Sequence, residues 1–174
     1  MTVKELVQIC NITDAGNGKL RIYNENMGRK HLAEIKARKP EILAFLSEQK
    51  VSEERARKER EEKISAIPGL KELEAAIKEH EDYKSAFYRM MDDEYNDGAN
   101  PPAMPKSNID DLSSKYPRAA AYIKAVAYSY ASHYAKSAAG RKAVERIING
   151  EDHEKVLAEM EAEWLAYCEN SIWN

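Results

Sequence analysis

SEERARKEREEK, residues 52–63, holds ten charged side chains, one serine and one alanine. Five of the charges are basic and five acidic, so the run is neutral as a whole. Glu53 and Arg57, Glu54 and Lys58, and Glu59 and Lys63 stand four apart with the acid on the N-terminal side. Each such pair stabilises an isolated helix by about 0.2–0.5 kcal/mol. A helix that is polar on every side has no face to bury, and helices of this kind bridge between modules. The spacing therefore predicts an exposed helical spacer over 51–67, with one rim of a coiled coil as the alternative. Apolar periodicity returns on both sides of it. The chain divides on this reading into a small unit over 1–50, the spacer, and a helical bundle over 68–174.

In the first unit, Thr2 and Glu5 form a capping-box pair that opens a helix through about Cys10, with Val3, Leu6, Val7 and Ile9 as its apolar side. Gly16, Asn17 and Gly18 tolerate positive φ, and Leu20 and Ile22 alternate with Lys19, Arg21 and Tyr23, which predicts a β-hairpin. A helix is predicted over 29–38. Pro40 disfavours helical backbone at Lys39 and suits the start of the next helix, whose apolar face is Ile42, Leu43, Phe45 and Leu46.

Beyond the spacer, Ile64, Ile67, Leu70, Leu73, Ile77, His80, Phe87 and Met91 recur at three- to four-residue steps, with a kink expected at Pro68-Gly69. Gly and Pro mark 92–107 as a long loop, and Asp110 and Asp111 fall in a short helix. Pro117 opens one long helix, PRAAAYIKAVAYSYASHYAKSAAGRKAVERIING, kinked at Gly140 and ended by Asn149-Gly150. Asp152 caps a last helix carrying Val156, Leu157, Met160, Trp164, Leu165 and Cys168. The fold class expected is mainly α: an αββαα unit, a long charged helix and a C-terminal helical bundle.

Composition narrows the function. The net charge of -3 over 174 residues gives no general attraction to nucleic acid or to an anionic membrane. No apolar run approaches the ~18 residues of a membrane span, and the first ten residues lack a signal-peptide core, so a cytoplasmic protein is expected. Cys10 and Cys168 fit no C-x-x-C pattern and read as buried reduced thiols. His31, His80, His133 and His153 have no second histidine or cysteine at ligand spacing, so neither a metal nor a cofactor is expected. GxSxG and Walker patterns are absent, and the chain reads as a non-enzyme.

Three features point instead to contact with a macromolecule. Asp92, Asp93, Glu94 and Asp97 crowd a helix C-terminus, where acids oppose the macrodipole and helix stability does not favour them; they read as a solvated acidic loop, as a surface for a basic partner or as a divalent-cation site, and match no calcium-loop pattern. Tyr122, Val126, Tyr130 and Tyr134 share a stripe among alanines, with Tyr128 off it; the stripe reads as core between bundle helices, and any tyrosine facing outward as a contact residue, since tyrosine combines large contact area with little rotamer entropy. Charge is also segregated: residues 115–149 hold seven basic and one acidic side chain, and residues 150–174 hold one and seven. These either cancel inside the bundle or present an anionic surface that mimics a phosphate backbone. The partner-binding residues expected are Asp92, Asp93, Glu94, Asp97, Tyr128, Tyr130 and Tyr134. A nucleic-acid-binding alternative uses Arg29, Lys30, Lys36, Arg38 and Lys39, or Arg141, Lys142 and Arg146.

The helix, GKLRI hairpin, helix and IKARKPEILAFL order of the first fifty residues resembles the N-terminal docking domains of TubC-type megasynthase subunits. Leu20, Ile22, Ile35, Lys39, Ile42, Leu43 and Leu46 match that skeleton. The resemblance implies a partner-docking or dimerising module. The whole chain, with RAAAYIKAVAYSY and IINGEDHE, looks like small proteins of clostridial phages and mobile elements, some of which inhibit host defence, CRISPR nucleases included. The resulting expectation is a non-enzymatic protein-binding protein, most concretely an anti-CRISPR-type inhibitor of a defence nuclease acting by steric or charge-mimic occlusion. The alternatives are a nucleic-acid-binding accessory protein of a phage or mobile element and a structural oligomerisation module, a homodimer among its forms.

Overall fold

A computed structural model describes residues 1–92 and 102–172. The described residues are mainly helical with one small sheet near the N-terminus, the fold class expected above. The chain divides into two compact units, Met1–Glu59 and Arg60–Asn174, with the boundary inside the charged run.

The first unit begins with α1 (Val3–Cys10), closed by the capping box: the Thr2 hydroxyl accepts from the Glu5 amide and the Glu5 carboxylate accepts from the Thr2 amide. Hydrogen bonding to Thr2 holds the Glu5 carboxyl below its usual range. Asn11 ends the helix in the left-handed region at φ 49. Strands β1 (Ile12–Gly16) and β2 (Lys19–Ile22) pair antiparallel, with Ile12 opposite Ile22 and Asp14 opposite Leu20. The turn carries positive φ at Gly16, Asn17 and Gly18, as the residue types there require.

The single helix predicted over 29–38 is two: α2 (Glu25–Lys30) and α3 (Leu32–Ala37). Asn24 starts the chain into helix earlier than the apolar pattern shows, by accepting from the Met27 amide through its side chain. His31 then breaks the path at φ -105, ψ 15. The restriction expected at Lys39 is also overridden, since α4 (Lys39–Ser65) includes it. Pro40 lies in the first turn of α4, where its missing N–H costs no intrahelical bond. Leu6, Cys10 and Ile42 are completely buried, and with Val7, Ile12 and Ile35 they form this unit's core. Desolvation raises the Cys10 thiol. Cys168, in contrast to the expectation, is only half-buried.

Residues 51–63 of α4 are exposed throughout, with Glu54–Lys58 and Arg55–Glu59 ion pairs at 3.5 Å. Lys63 does not meet Glu59; its ammonium donates to Asn149 at 2.8 Å. Ile67, placed at the end of the predicted spacer, is buried in the second unit's core, and Ile64 packs on the same cluster. At Pro68-Gly69 the helix stops outright, with Gly69 at φ +72, and α5 (Leu70–Asp92) begins.

After residue 101 come α6 (Ile109–Lys115), capped by Asn108, then α7 (Pro117–Ser129), α8 (Tyr134–Ile148) and α9 (His153–Ile172). The long helix expected from Pro117 is thus two helices, α7 and α8, packed on each other. The break falls at 130–133 and leaves Gly140 inside α8. Ser129 turns its hydroxyl back to the Val126 carbonyl at 2.7 Å, a bond that competes with helix continuation. The Ala131 amide closes a tight last turn on Tyr128. Ala119, Ala121 and Ala125 on α7 and Ala139 and Ala143 on α8 are all buried. Gly150, at φ +91, ends α8 as expected, and Asp152 caps α9 through the Glu154 and Lys155 amides. Those backbone bonds hold the Asp152 carboxyl low. Leu73, Ile147, Val156 and Met160 fill the centre of the bundle.

Candidate binding surface

The break between α7 and α8 redistributes the tyrosine stripe. Tyr122 stays in the core at 9% exposure, whereas Tyr130 and Tyr134 stand out at 85% and 80%. Tyr128 packs partly on the core with the Lys136 ammonium 4.5 Å over its ring. The continuous i+4 stripe therefore does not exist. Tyr130 caps the end of α7, and Tyr134 begins α8.

Beside this turn lies an aromatic cluster that spacing within α9 reveals only in part, because His133 joins it from the α7–α8 turn. His133 meets Trp164 at 5.0 Å and Tyr167 at 4.8 Å, edge to face, and Trp164 stacks on Tyr167 at 5.9 Å. Lys136 completes it 5.5 Å above Trp164. The sequence signal was Trp164 and Tyr167 three apart on one face of α9. Leu165 and Tyr167 are largely exposed, so the corner presents apolar and aromatic surface to solvent.

A groove of about 350 Å³ opens on the same unit, lined by Arg60, Tyr122, Val126, Tyr130, Arg141 and Glu145 among others. Burial is the main cause that raises the Tyr122 phenol above its usual range.

The segregated charges largely cancel. Lys124 pairs with Glu161, Lys142 with Glu163 at 3.3 Å, and Arg146 with Glu151 at 2.8 Å and Glu159 at 2.5 Å. In the second basic patch, Lys142 and Arg146 pair with acids near or on α9, and Arg141 meets no carboxylate among the described residues. In the first unit, Arg38 is committed to Glu41, Glu34 and the Met1 carbonyl, and Arg29 pairs with Glu25 at 3.5 Å. Lys30, Lys36 and Lys39 are exposed. Asp93, Glu94 and Asp97 lie outside the described residues, as does the side chain of Asp92. His80, placed at a core position, is half-buried and bonds the Ser107 carbonyl at 2.8 Å. Glu79 beside it accepts from Ser107 and from the Lys106 amide, which holds its carboxyl low. Among the described residues there is no cluster of three or more metal-type ligands.

The chain matches no protein-family model, no curated protein and no solved structure.

The pairing of Arg146 with Glu159 sets a pH response. The Arg146 hydrogen bond holds the Glu159 carboxyl below its ordinary value of 4.5. Its contribution is therefore complete above about pH 4.5 and fades as pH falls through the lower folded value. Fluorescence-monitored unfolding at pH 3–6 should show the bundle weakening at the acid end. Glu159→Gln should flatten that decline, and an unchanged acid limb in the variant removes the pair from the account.

Proposed function

We propose that the chain is a non-enzymatic protein-binding protein that engages its partner through the aromatic corner of α7, α8 and α9. In its most concrete form it inhibits a bacterial defence nuclease such as a CRISPR effector. The observation that carries this reading is the pair Tyr130 and Tyr134, exposed at a helix–helix turn and flanked by His133, Trp164 and Tyr167. Large rings left in water have no folding benefit of their own, and tyrosine and tryptophan dominate the energetics of protein interfaces. Occlusion by shape is favoured over mimicry of a phosphate backbone, because the α9 acids Glu159, Glu161 and Glu163 are engaged by cations of their own unit.

The full chain is immobilised and offered purified, guide-loaded CRISPR effectors, with target cleavage by each effector measured alongside. The expected result is retention of an effector and loss of its cleavage. Tyr130→Ser/Tyr134→Ser should weaken retention by about tenfold or more, the consequence of removing two anchors that contribute 1 kcal/mol or more each. Retention of none of the effectors, or equal retention by the double variant, overturns the reading. Binding to random DNA that weakens steeply with salt supports the nucleic-acid alternative instead.

A further inference from the structure

The groove lined by α4, α7 and α8 has two features that folding alone leaves unexplained. Tyr122 is more than nine-tenths buried, yet its hydroxyl has no hydrogen-bond partner among the described residues. A buried tyrosine normally directs that group to a partner. Its oxygen is not among the sealed, unpartnered polar atoms of the core, and the residue lines the groove.

The second feature is Arg141. Helix α8 carries Lys136, Arg141, Lys142 and Arg146. Lys142 and Arg146 meet carboxylates, and Lys136 lies over two aromatic rings. Arg141 meets no carboxylate among the described residues. One nitrogen, Nη1, donates to the Ser137 hydroxyl at 2.7 Å, and that hydroxyl donates to the Ser129 carbonyl at 2.6 Å. Ser137 is only 7% exposed, so this relay fixes the guanidinium from beneath and leaves the rest of its donor fork for a ligand. Across the groove, Arg60 is already paired with Glu145 at 2.9 Å. The lining thus holds one uncompensated positive charge beside the apolar walls of Val126 and Tyr130.

From these we infer that the groove is a carboxylate-recognition site, which takes an aspartate or glutamate side chain of a partner protein together with an adjoining apolar residue. The inference rests on the protein-binding reading above and names the chemistry of the partner. Arg141 supplies the charge-assisted donors and Tyr122 a neutral donor from the floor. A single surplus charge with Glu145 alongside suits one carboxylate and offers too few cations for the run of phosphates in a nucleic acid.

The full chain is titrated with acetyl-Glu-Phe-amide, its neutral counterpart acetyl-Gln-Phe-amide, inorganic phosphate and a random single-stranded oligonucleotide. The side-chain NMR signals of Arg141 and Tyr122 report binding. The glutamate peptide should give saturable shifts at both residues, and the glutamine peptide should bind about tenfold more weakly. Arg141→Gln should weaken the glutamate peptide by about tenfold or more, and Tyr122→Phe, which keeps the ring, by about threefold. Equal response to both peptides, tighter response to phosphate or oligonucleotide, or no saturable shift overturns the site. Peptide binding as expected with no effector retained in the capture experiment leaves the site standing and sinks the partner-binding reading. An effector retained equally well by Arg141→Gln, with no peptide response, does the converse.

Discussion

Replacing Gly140 by alanine is expected to destabilise the bundle, although alanine is the better helix former. The two effects oppose each other and their sizes decide the sign. In the interior of α8 the exchange improves helix propensity by about 1 kcal/mol. A Cβ at 140, however, would lie 2.6 Å from the Tyr128 carbonyl carbon and closer still to the Ser129 amide nitrogen. Those are backbone atoms of α7, and no rotamer change moves them aside. Relief requires the two helices to separate, which loosens the alanine seam and stretches the bond from Ser137 to the Ser129 carbonyl. Overpacking of this kind costs about 3 kcal/mol when nothing flexible yields, so the net loss should be about 2 kcal/mol. Valine at 140 should lose more. No tryptophan precedes Arg60 in the sequence, and Trp164 lies on α9, so intrinsic fluorescence in a urea titration reads the second unit. A midpoint that rises in Gly140→Ala would mean that the helices do not approach as closely as described.

The same glycine shows where sequence reading succeeds and where it stops. Local devices were legible: the Thr2/Glu5 box, the Gly16-Asn17-Gly18 turn, Pro117 opening α7, Gly150 closing α8 and Asp152 capping α9 are each made by residues within a few positions. Each follows from chemistry that acts along the chain. The break after Ser129 was not legible, because Tyr130, Ala131, Ser132 and His133 include neither glycine nor proline. What makes the break favourable is long-range, the buried alanines of α7 and α8 meeting face to face around a glycine. Along the sequence Gly140 is the weak point of one helix; in the fold it is the contact point of two.

The candidate surface divides in the same way. Tyr130 and Tyr134 were identifiable as residue types, but their exposure follows from the break. Trp164, Tyr167 and His133 come together only through tertiary packing, from α9 and the α7–α8 turn. Charge segregation was visible as a count along the chain, and the count carried two opposite readings. Geometry separates them: Arg146, with one acid at Glu151 and another at Glu159, gathers the acids into an internal clamp instead of an anionic face. Arg141 stands out only after its neighbours on α8 have been matched with their acids, which no count along the sequence can do.

Gly69→Ala should have a comparable or larger effect, and a comparison within the protein isolates its cause. Gly69 sits at φ +72, where an L side chain costs about 1–2 kcal/mol. Gly18 in the hairpin turn has nearly the same φ, +67, and open space around the position of a Cβ. Gly18→Ala, followed by circular dichroism because the unit Met1–Glu59 holds no tryptophan, thus measures the backbone cost alone. At Gly69 a Cβ would also fall inside the Tyr116 ring, in conflict with Cγ, Cδ1 and Cδ2 together. Tyr116 cannot simply swing away, because it packs on the bundle core between α6 and α7 and Lys115 lies 4.7 Å over its ring. Displacing it should add about 1–3 kcal/mol to the backbone term, for a total of about 2–5 kcal/mol. Tyr116→Ala has its own cost, yet in the Gly69→Ala background that cost should shrink, since the ring is already displaced. The double-mutant cycle reads the coupling by urea unfolding followed through tryptophan fluorescence. Additive effects of the two substitutions would show that the glycine serves only its left-handed backbone, and that the ring does not close over the turn where α4 gives way to α5.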